Sequence, residues 1–182
     1  MKVCIFGASS EAIDQVYIKE TERLGCRLAR KGCSLVTGGG KRGLMGAANR
    51  GFTEGNGYII SIAPRIFNVN GILYDEFNEL YLTRDLVDRK QLMIEISDCF
   101  IGAPGGLGTF DELFEIITQN QLGYTAKPVI FFNVAGFYDG LWAFLEQCCR
   151  KGFIPEGWQR LCHKANSVEE VLEILNLQER ER

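Results

Sequence analysis

The sequence is poor in several residues on which common catalytic and structural sites depend. It contains one histidine, His163, and four prolines among 182 residues. A metal site built from several histidines is therefore excluded, and a Ser-His-Asp triad would have to use His163. The seven cysteines are odd in number, and no two of them have C-x-x-C spacing. We expect reduced, mostly buried thiols rather than a disulfide framework, and we expect no metal or other cofactor.

Long apolar runs and a strong charge imbalance are also missing. No segment approaches the roughly 18 apolar residues of a membrane span, and the N-terminal MKVCIFGASSE lacks the layout of a signal peptide. A net charge of -3 gives no electrostatic basis for broad binding to nucleic acid or to an anionic membrane. We therefore expect a cytoplasmic protein with no nucleic-acid or membrane partner, formed by one domain over 1–182.

Short apolar runs alternate with longer helical patterns along the chain. Strands are predicted over 2–6, 33–37, 58–62, 79–82, 99–102, 129–133 and, more weakly, 161–164. Helices are predicted over 12–31, 43–55, 84–97, 109–121, 137–150 and 168–175. Continuously apolar strands suit a sheet that is covered on both faces, and strand–helix alternation favours right-handed crossovers. The pattern predicts an α/β fold with a mostly parallel sheet of about seven strands, a surface loop or lid over 63–78, and a solvated tail, QERER.

Glycine is concentrated where three predicted strands end. The first strand runs into FGASSE, the second into TGGGKRGLMGAAN and the fifth into APGGLGT. Ligands of a parallel sheet bind outside the carboxyl ends of the strands, so three such turns favour one crevice where backbone approaches a ligand. The alternative is that short strand-to-helix turns often need glycine for conformational reasons alone.

The second and third turns favour a single phosphate over a dinucleotide. Gly38, Gly40 and Gly43 fit G-x-G-x-x-G, but they follow the second strand, and the next strand, YIISIAP, ends without an acidic residue for a ribose. A Walker motif is excluded because Leu44 and Met45 follow Gly43. A nest of N–H groups at a helix N-terminus remains, and PGGLGT adds the Thr109 hydroxyl at a second helix start.

Two charged residues close to these turns are candidates for chemistry. Thr109 and Glu112 match a capping box, T-x-x-E, which is a purely structural explanation for Glu112. Arg89 shares the predicted apolar stripe of its helix with Leu86, Met93 and Ile96, so it needs an anionic partner or lines a site. A structural salt bridge or a snorkelling side chain is the alternative. Because this helix leads into the strand before PGGLGT, Arg89 and a carboxylate could meet at the same crevice.

The blocks GGGKRGLMGAAN, DRKQLM and PGGLGTFDE resemble those of the LOG family, the cytokinin riboside 5′-monophosphate phosphoribohydrolases. The resemblance spans roughly residues 3–153. It implies a Rossmann-like three-layer sandwich, a homodimer, and hydrolysis of a nucleoside 5′-monophosphate, AMP or an N6-modified AMP, to free base and ribose 5-phosphate. A lysine decarboxylase is disfavoured because no lysine lies in a recognisable Schiff-base context.

The resemblance also implies roles for particular residues. Arg89 and Glu112 correspond to the catalytic pair, with the carboxylate stabilising positive charge on the ribose as the N-glycosidic bond breaks. The implied substrate-binding residues are Ser9, Gly39, Gly40, Gly43, Met45, Lys90, Gly105, Gly106, Gly108 and Thr109. Two other classes stay open: a nucleotide- or cofactor-binding carrier without turnover, similar to molybdenum-cofactor carriers, and a scaffold that acts through its dimer surface.

Overall fold

The computed structural model describes residues 1–69 and 71–176, in which strands and helices alternate. The strands are β1 (Lys2–Phe6), β2 (Ser34–Thr37), β3 (Tyr58–Pro64), β4 (Glu79–Thr83), β5 (Cys99–Gly102), β6 (Val129–Phe132) and β7 (His163–Ala165). The α-helices are α1 (Gln15–Arg30), α2 (Gly43–Glu54), α3 (Leu86–Ile96), α4 (Leu107–Gln121), α5 (Asp139–Arg150) and α6 (Val168–Ile174). Short 3₁₀ helices lie at Arg65–Phe67, Val134–Gly136 and Trp158–Arg160. The predicted tail QERER lies outside the described residues.

All seven strands pair in parallel in one sheet of order β4-β3-β2-β1-β5-β6-β7. Chain order runs outward from β1 in one direction as far as β4, and then resumes on the other side with β5. The sheet therefore has its topological switch point between β1 and β5, where a crevice opens at the carboxyl edge. The three glycine-rich turns follow β2, β1 and β5, which are adjacent strands.

Helices cover both faces of this sheet, as the continuously apolar strands predicted. Along β1, Val3 and Ile5 belong to one buried cluster, whereas Cys4 and Phe6 belong to the other. Helices α1, α2 and α6 contribute to the first cluster, and α3, α4 and α5 contribute to the second. The predicted α/β class and the Rossmann-like three-layer arrangement are confirmed.

Helix starts differ from the prediction because capping residues fix them. Asp14 caps α1 by accepting a hydrogen bond from the Val16 amide at 3.2 Å. Asp85 caps α3 by accepting from the amides of Val87 and Asp88, both at 2.9 Å. An aspartate before an apolar helical pattern is a common N-cap, so the helices predicted from 12 and 84 begin later than the periodicity alone indicated.

In its described residues, 65–69 and 71–78, the connection from β3 to β4 contains no α-helix, and it returns to the second glycine-rich turn. Its residue Leu73 forms an isolated antiparallel bridge with Gly40. Two backbone hydrogen bonds hold it there, from the Lys41 amide to the Ile72 carbonyl at 3.1 Å and from the Tyr74 amide to the Gly39 carbonyl at 2.7 Å. The predicted surface loop is thus pinned against the carboxyl edge of the sheet. Within residues 1–69 and 71–176, no helix is long and apolar enough to cross a membrane.

Candidate functional site

Direct backbone hydrogen bonds tie the three glycine-rich turns together. The Ala8 amide donates to the Pro104 carbonyl at 3.1 Å, which joins the turns after β1 and β5. The Leu44 amide donates to the Ala8 carbonyl at 2.7 Å, which joins the turns after β2 and β1. Close approach makes Gly43 obligatory, because its φ is +57° and a Cβ there would lie 2.4 Å from the Ala8 oxygen. The three turns therefore form one rigid rim.

A cavity of about 360 Å³ opens inside this rim and is called the rim cavity below. It is lined by Gly7, Ala8, Ser9, Ser10, Met45, Arg89, Gly106, Gly108, Thr109 and Glu112. Five of the residues implied from the sequence to bind substrate, Ser9, Met45, Gly106, Gly108 and Thr109, thus lie together with the implied catalytic pair, Arg89 and Glu112. The alternative that the glycines serve only turn geometry does not account for a shared cavity.

The wall of the rim cavity beneath β5 is the N-terminus of α4. Gly106 is the N-cap, and no side chain caps the helix. A Cβ at Gly106 or Gly108 would meet no atom within 4 Å, so these positions leave open space beside the helix amides. A Cβ at Gly105 would instead lie 2.1 Å from Thr109 Oγ1, so Gly105 makes room for the buried threonine. An uncovered helix N-terminus of this kind suits a phosphate dianion.

The capping-box explanation for Glu112 is wrong. Because α4 begins at Leu107, Thr109 lies inside the first turn and is not the N-cap residue. The Phe110 amide donates to the Gly106 carbonyl at 3.0 Å, which extends the helical hydrogen bonding back to the glycine. Glu112 is therefore one turn into the helix, where its carboxylate is free to face another element.

That other element is α3, whose Arg89 forms an ion pair with Glu112. The side chains of Arg89 and Glu112 are 14% and 12% exposed, and both line the rim cavity. The anionic partner predicted for Arg89 is thus present, although Leu86 is half exposed and does not share the buried face that Met93 occupies. Arg89 Nε is buried and has no hydrogen-bond partner in the described part of the chain.

Burial dominates the electrostatics of Glu112. Desolvation raises the pKa of this carboxyl from 4.5 to about 7, even though the Arg89 guanidinium and Lys90 ammonium lower it. Asp111 and Glu115 add to the increase in pKa through like-charge repulsion. Near neutral pH the carboxyl therefore exchanges between its two protonation states, a property typical of groups that take part in chemistry. The effect of Arg89 on the pKa of Glu112 is thus smaller than the effect of burial.

Lys90 is turned away from the rim cavity. Its ammonium pairs with Asp111 Oδ2 at 2.9 Å and with Glu115 Oε2 at 2.7 Å, on the adjoining face of α4. These ion pairs clamp α3 to α4 beside the Arg89–Glu112 pair. The structure thus places Lys90 among residues that orient the two helices, and it does not line the cavity.

The turn after β2 separates the rim cavity from a larger one. Met45 lines both, and Gly40 lies beneath it, since a Cβ there would be 2.8 Å from Met45 Cε. Gly39, at φ +77°, faces Leu73 and Ser61, and like Gly43 it shapes the turn rather than lining a cavity. The larger cavity has a volume of about 650 Å³ and is called the outer cavity below.

The outer cavity contains residues that the sequence did not single out. It is lined by Ser9, Gly38, Gly40, Lys41, Arg42, Met45, Phe67, Gly71, Ile72, Leu73 and Arg89. Gly38 lies against the Arg89 guanidinium, with a distance of 3.2 Å from a built Cβ to Nη1. The sequence did indicate a long irregular segment after β3, which contains Phe67, Ile72 and Leu73. Nothing in the sequence of that segment indicated that it pairs with Gly40. Among the described residues, no group of three or more His, Cys, Asp or Glu side chains could hold a metal ion.

The open parallel sheet, with a ligand-sized cavity at its switch point, defines a Rossmann-like α/β protein. A molybdenum cofactor binding protein from Rippkaea orientalis has a TM-score of 0.71 at 25% identity, covering 96% of this chain and 93% of that one. A molybdenum cofactor carrier protein from Chlamydomonas reinhardtii has the same fold, with a TM-score of 0.71 at 20% identity over 96% and 95% of the two chains.

Sequence comparison gives the family. Residues 45–175 match a family model described as "Possible lysine decarboxylase". A probable cytokinin riboside 5′-monophosphate phosphoribohydrolase of Oryza sativa subsp. japonica is 34% identical over 174 residues, which cover 96% of this chain and 82% of that protein. A cytokinin riboside 5′-monophosphate phosphoribohydrolase of Arabidopsis thaliana is 33% identical over the same coverage. The chain therefore belongs to this family, the LOG family, and the resemblance drawn from its sequence blocks is confirmed.

Proposed function

We propose that this protein hydrolyses the N-glycosidic bond of a nucleoside 5′-monophosphate, AMP or an N6-modified AMP, to free base and ribose 5-phosphate. The names of its relatives support a phosphoribohydrolase of this type. The observation that carries the proposal is the buried Arg89–Glu112 pair, which faces the same cavity as the uncovered N-terminus of α4.

In the rim cavity, the N-terminus of α4 would bind the phosphate of such a substrate, and Glu112 would act on its ribose. The 5′-phosphate binds the amides at Gly106 and Gly108 and the Thr109 hydroxyl, where the helix dipole favours negative charge. The ribose then lies one turn further along α4, beside Glu112. As the bond from C1′ to the base nitrogen breaks, the bonding electrons leave with the base and positive charge grows on the ribose ring. The ionised Glu112 stabilises that charge and orients the attacking water, while Arg89 positions the carboxylate.

A carrier that binds a nucleotide or cofactor without turnover is the second candidate. The observation that favours it is the fold shared with the Rippkaea orientalis molybdenum cofactor binding protein. Such a protein needs the glycine-rich rim but has no use for a cavity-lining carboxyl with a pKa near 7. The two functions differ in the fate of the ligand, which a carrier returns intact.

Incubation with a panel of nucleoside 5′-monophosphates and with plain adenosine tests the proposal. We expect chromatography to detect free base and ribose 5-phosphate from a monophosphate and no cleavage of adenosine. Loss of a charged group that binds helix amides costs several kcal/mol, so adenosine should be a poor substrate at any practical concentration. Equal cleavage of AMP and adenosine would refute the phosphate anchor, and quantitative recovery of every monophosphate would favour the carrier.

We further propose that the protein is a homodimer formed through α3 and α4. Val87 and Leu107, at the starts of these helices, are 70% and 87% exposed. Phe110 and Phe114 of α4 are partly buried, and their rings contact those of Tyr138 and Phe131, respectively. Two exposed apolar side chains at adjoining helix ends favour a protein partner there. Light scattering at micromolar concentration should give twice the 20.4 kDa chain mass, and a monomer alone would contradict this proposal.

A further inference from the structure

The outer cavity has an unusual balance of charge for a site that would hold only a purine. Its lining includes three cationic side chains, Lys41, Arg42 and Arg89, and none of the residues that the structure describes along its wall is acidic. Arg89 is paired with Glu112, so Lys41 and Arg42 supply the charge of the outer part of the cavity. Positive charge at the wall of a cavity attracts an anionic ligand group.

The intramolecular partners of these two cations are weak. Lys41 Nζ lies 3.9 Å from Asp75 Oδ2, and Asp75 is 88% exposed. Arg42 Nε lies 3.7 Å from Glu11 Oε2, and both side chains are about two-thirds exposed. Exposed ion pairs at such distances contribute little to stability, so a ligand anion can replace either carboxylate at low cost.

The outer cavity adjoins the rim cavity. Ser9, Met45 and Arg89 line both of them. A nucleotide whose phosphate lies at α4 and whose ribose lies beside Glu112 would therefore extend its base past Met45 into the outer cavity. The outer cavity is also the larger, at about 650 Å³ against about 360 Å³, and it exceeds what a purine ring alone would fill.

Another part of the outer cavity wall is apolar. It consists of Phe67, Ile72 and Leu73, which come from the segment that is pinned to Gly40. A ligand that matches this lining has a hydrocarbon stem against the apolar wall and a charged group near the two cations. Lys41 and Arg42 immediately precede α2, which begins at Gly43, and both line the outer cavity.

We propose that the preferred substrate is a purine 5′-monophosphate whose exocyclic amine carries a substituent with an apolar stem and a carboxylate tip, which Lys41 and Arg42 bind. This inference rests on the proposed function for the position of the base. Lys41 and Arg42 act as specificity-determining residues and take no part in bond cleavage. Neutral N6-alkyl substituents fit the apolar wall but leave both cations without a ligand partner.

The test compares two ligands of equal chain length, N6-butyl-AMP and N6-(3-carboxypropyl)-AMP. Dissociation constants are measured by calorimetry on the Glu112→Gln protein, which separates binding from turnover. We expect the carboxylate ligand to bind about 10-fold more tightly than the butyl ligand, from two partly exposed charge contacts. The preference should fall to about 1 in the Lys41→Ala/Arg42→Ala protein and should shrink as salt is raised.

Two control proteins keep the result interpretable. The exchanged protein Lys41→Arg/Arg42→Lys conserves both charges and should keep the preference. Lys151→Ala removes a cation from the exposed residue that follows α5 and should also keep it. If the double alanine protein does not fold, Lys41→Ala and Arg42→Ala are measured singly, and each should lower the preference. A butyl ligand that binds as tightly, or a preference that survives loss of both cations, would overturn the inference.

The result is separable from the test of hydrolysis. If AMP is cleaved but the carboxylate ligand has no advantage, the hydrolase proposal stands and the substrate inference falls. If no monophosphate is cleaved but the preference depends on Lys41 and Arg42, the outer cavity still recognises an anionic substituent, and the hydrolase proposal is the one that fails.

Discussion

Replacing Glu112 by glutamine removes the negative charge from the candidate site while keeping nearly the same side-chain volume. The amide oxygen can still accept a hydrogen bond from the Arg89 guanidinium, so the contact between α3 and α4 is retained without the negative charge. No helix cap is affected, because the N-cap of α4 is Gly106. The substitution therefore isolates the charge of Glu112 from its packing.

The effect of this substitution on stability depends on pH. In the folded protein the pKa of Glu112 is about 7, against 4.5 when it is unperturbed. Between these values the folded state binds more protons at this group than the unfolded state, so Glu112 lowers the free energy of unfolding progressively as pH rises through the window. The shift corresponds to about 3 kcal/mol. Above pH 7 the buried Glu112 lowers the free energy of unfolding by this full amount, and below pH 4.5 it has no such effect.

Melting temperatures of wild type and Glu112→Gln at pH 5 and pH 8 measure this quantity directly. Other carboxyls titrate in both proteins and cancel in the difference. The melting temperature of the variant minus that of wild type should be higher at pH 8 than at pH 5, by on the order of 10 °C for a domain of this size. A melting-temperature difference that does not depend on pH would show that Glu112 has an ordinary pKa, and would refute the claim that burial raises it.

The same variant tests the chemistry. With AMP as substrate we expect kcat to fall by about 10²–10³-fold, because stabilisation of positive charge on the ribose is lost. Asp111→Asn is the matched control: it removes one carboxylate from the neighbouring position of α4, where the side chain is 64% exposed and pairs with Lys90. That control should keep kcat within about 3-fold of wild type. A fully active Glu112→Gln protein would refute the catalytic assignment.

Three further outcomes follow from the geometry. In wild type, kcat/KM for AMP should rise with pH through an apparent pKa near 7, as Glu112 ionises; a flat profile from pH 5 to pH 9 would contradict this. Gly106→Ala should raise KM without changing the melting temperature, because its methyl group enters open space at the helix amides, whereas Gly140→Ala, also in open space but on α5, should leave KM unchanged. Arg89→Ala should lose activity and melt at lower temperature, since Glu112 then remains buried without its ion-pair partner.

The sequence predicted the sheet well because its strands are continuous apolar runs bounded by turns. The ends of β1 and β5 agree with the predicted bounds, and the glycine-rich turns lie together because adjacent strands carry them. The meeting of Arg89 with Glu112 was also predicted, since a charged residue on a buried helix face needs a partner. Helix starts were less accurate where an aspartate cap competes with the periodic pattern.

Other features of the site depend on tertiary contacts that have no local pattern. A capping box at Thr109 was the structural alternative for Glu112, but the turn after β5 is held in place by the Tyr138 hydroxyl, which donates to the Ala103 carbonyl at 2.7 Å. This hydrogen bond and the one between Ala8 and Pro104 both hold the residues just before α4, which starts at Leu107. The raised pKa of Glu112 and the pairing of Leu73 with Gly40 likewise follow from packing between segments that are distant in sequence.

The most direct test of the proposed hydrolysis is to follow AMP by proton NMR in the presence of the wild-type protein at pH 8, where Glu112 is mostly ionised. We expect the H1′ signal of AMP to decay while adenine and ribose 5-phosphate appear in equal amounts, and we expect no decay in a parallel sample with Glu112→Gln. An AMP spectrum that stays unchanged with wild-type protein, while calorimetry detects saturable binding, would contradict hydrolysis and identify the rim cavity as a binding site without turnover of AMP.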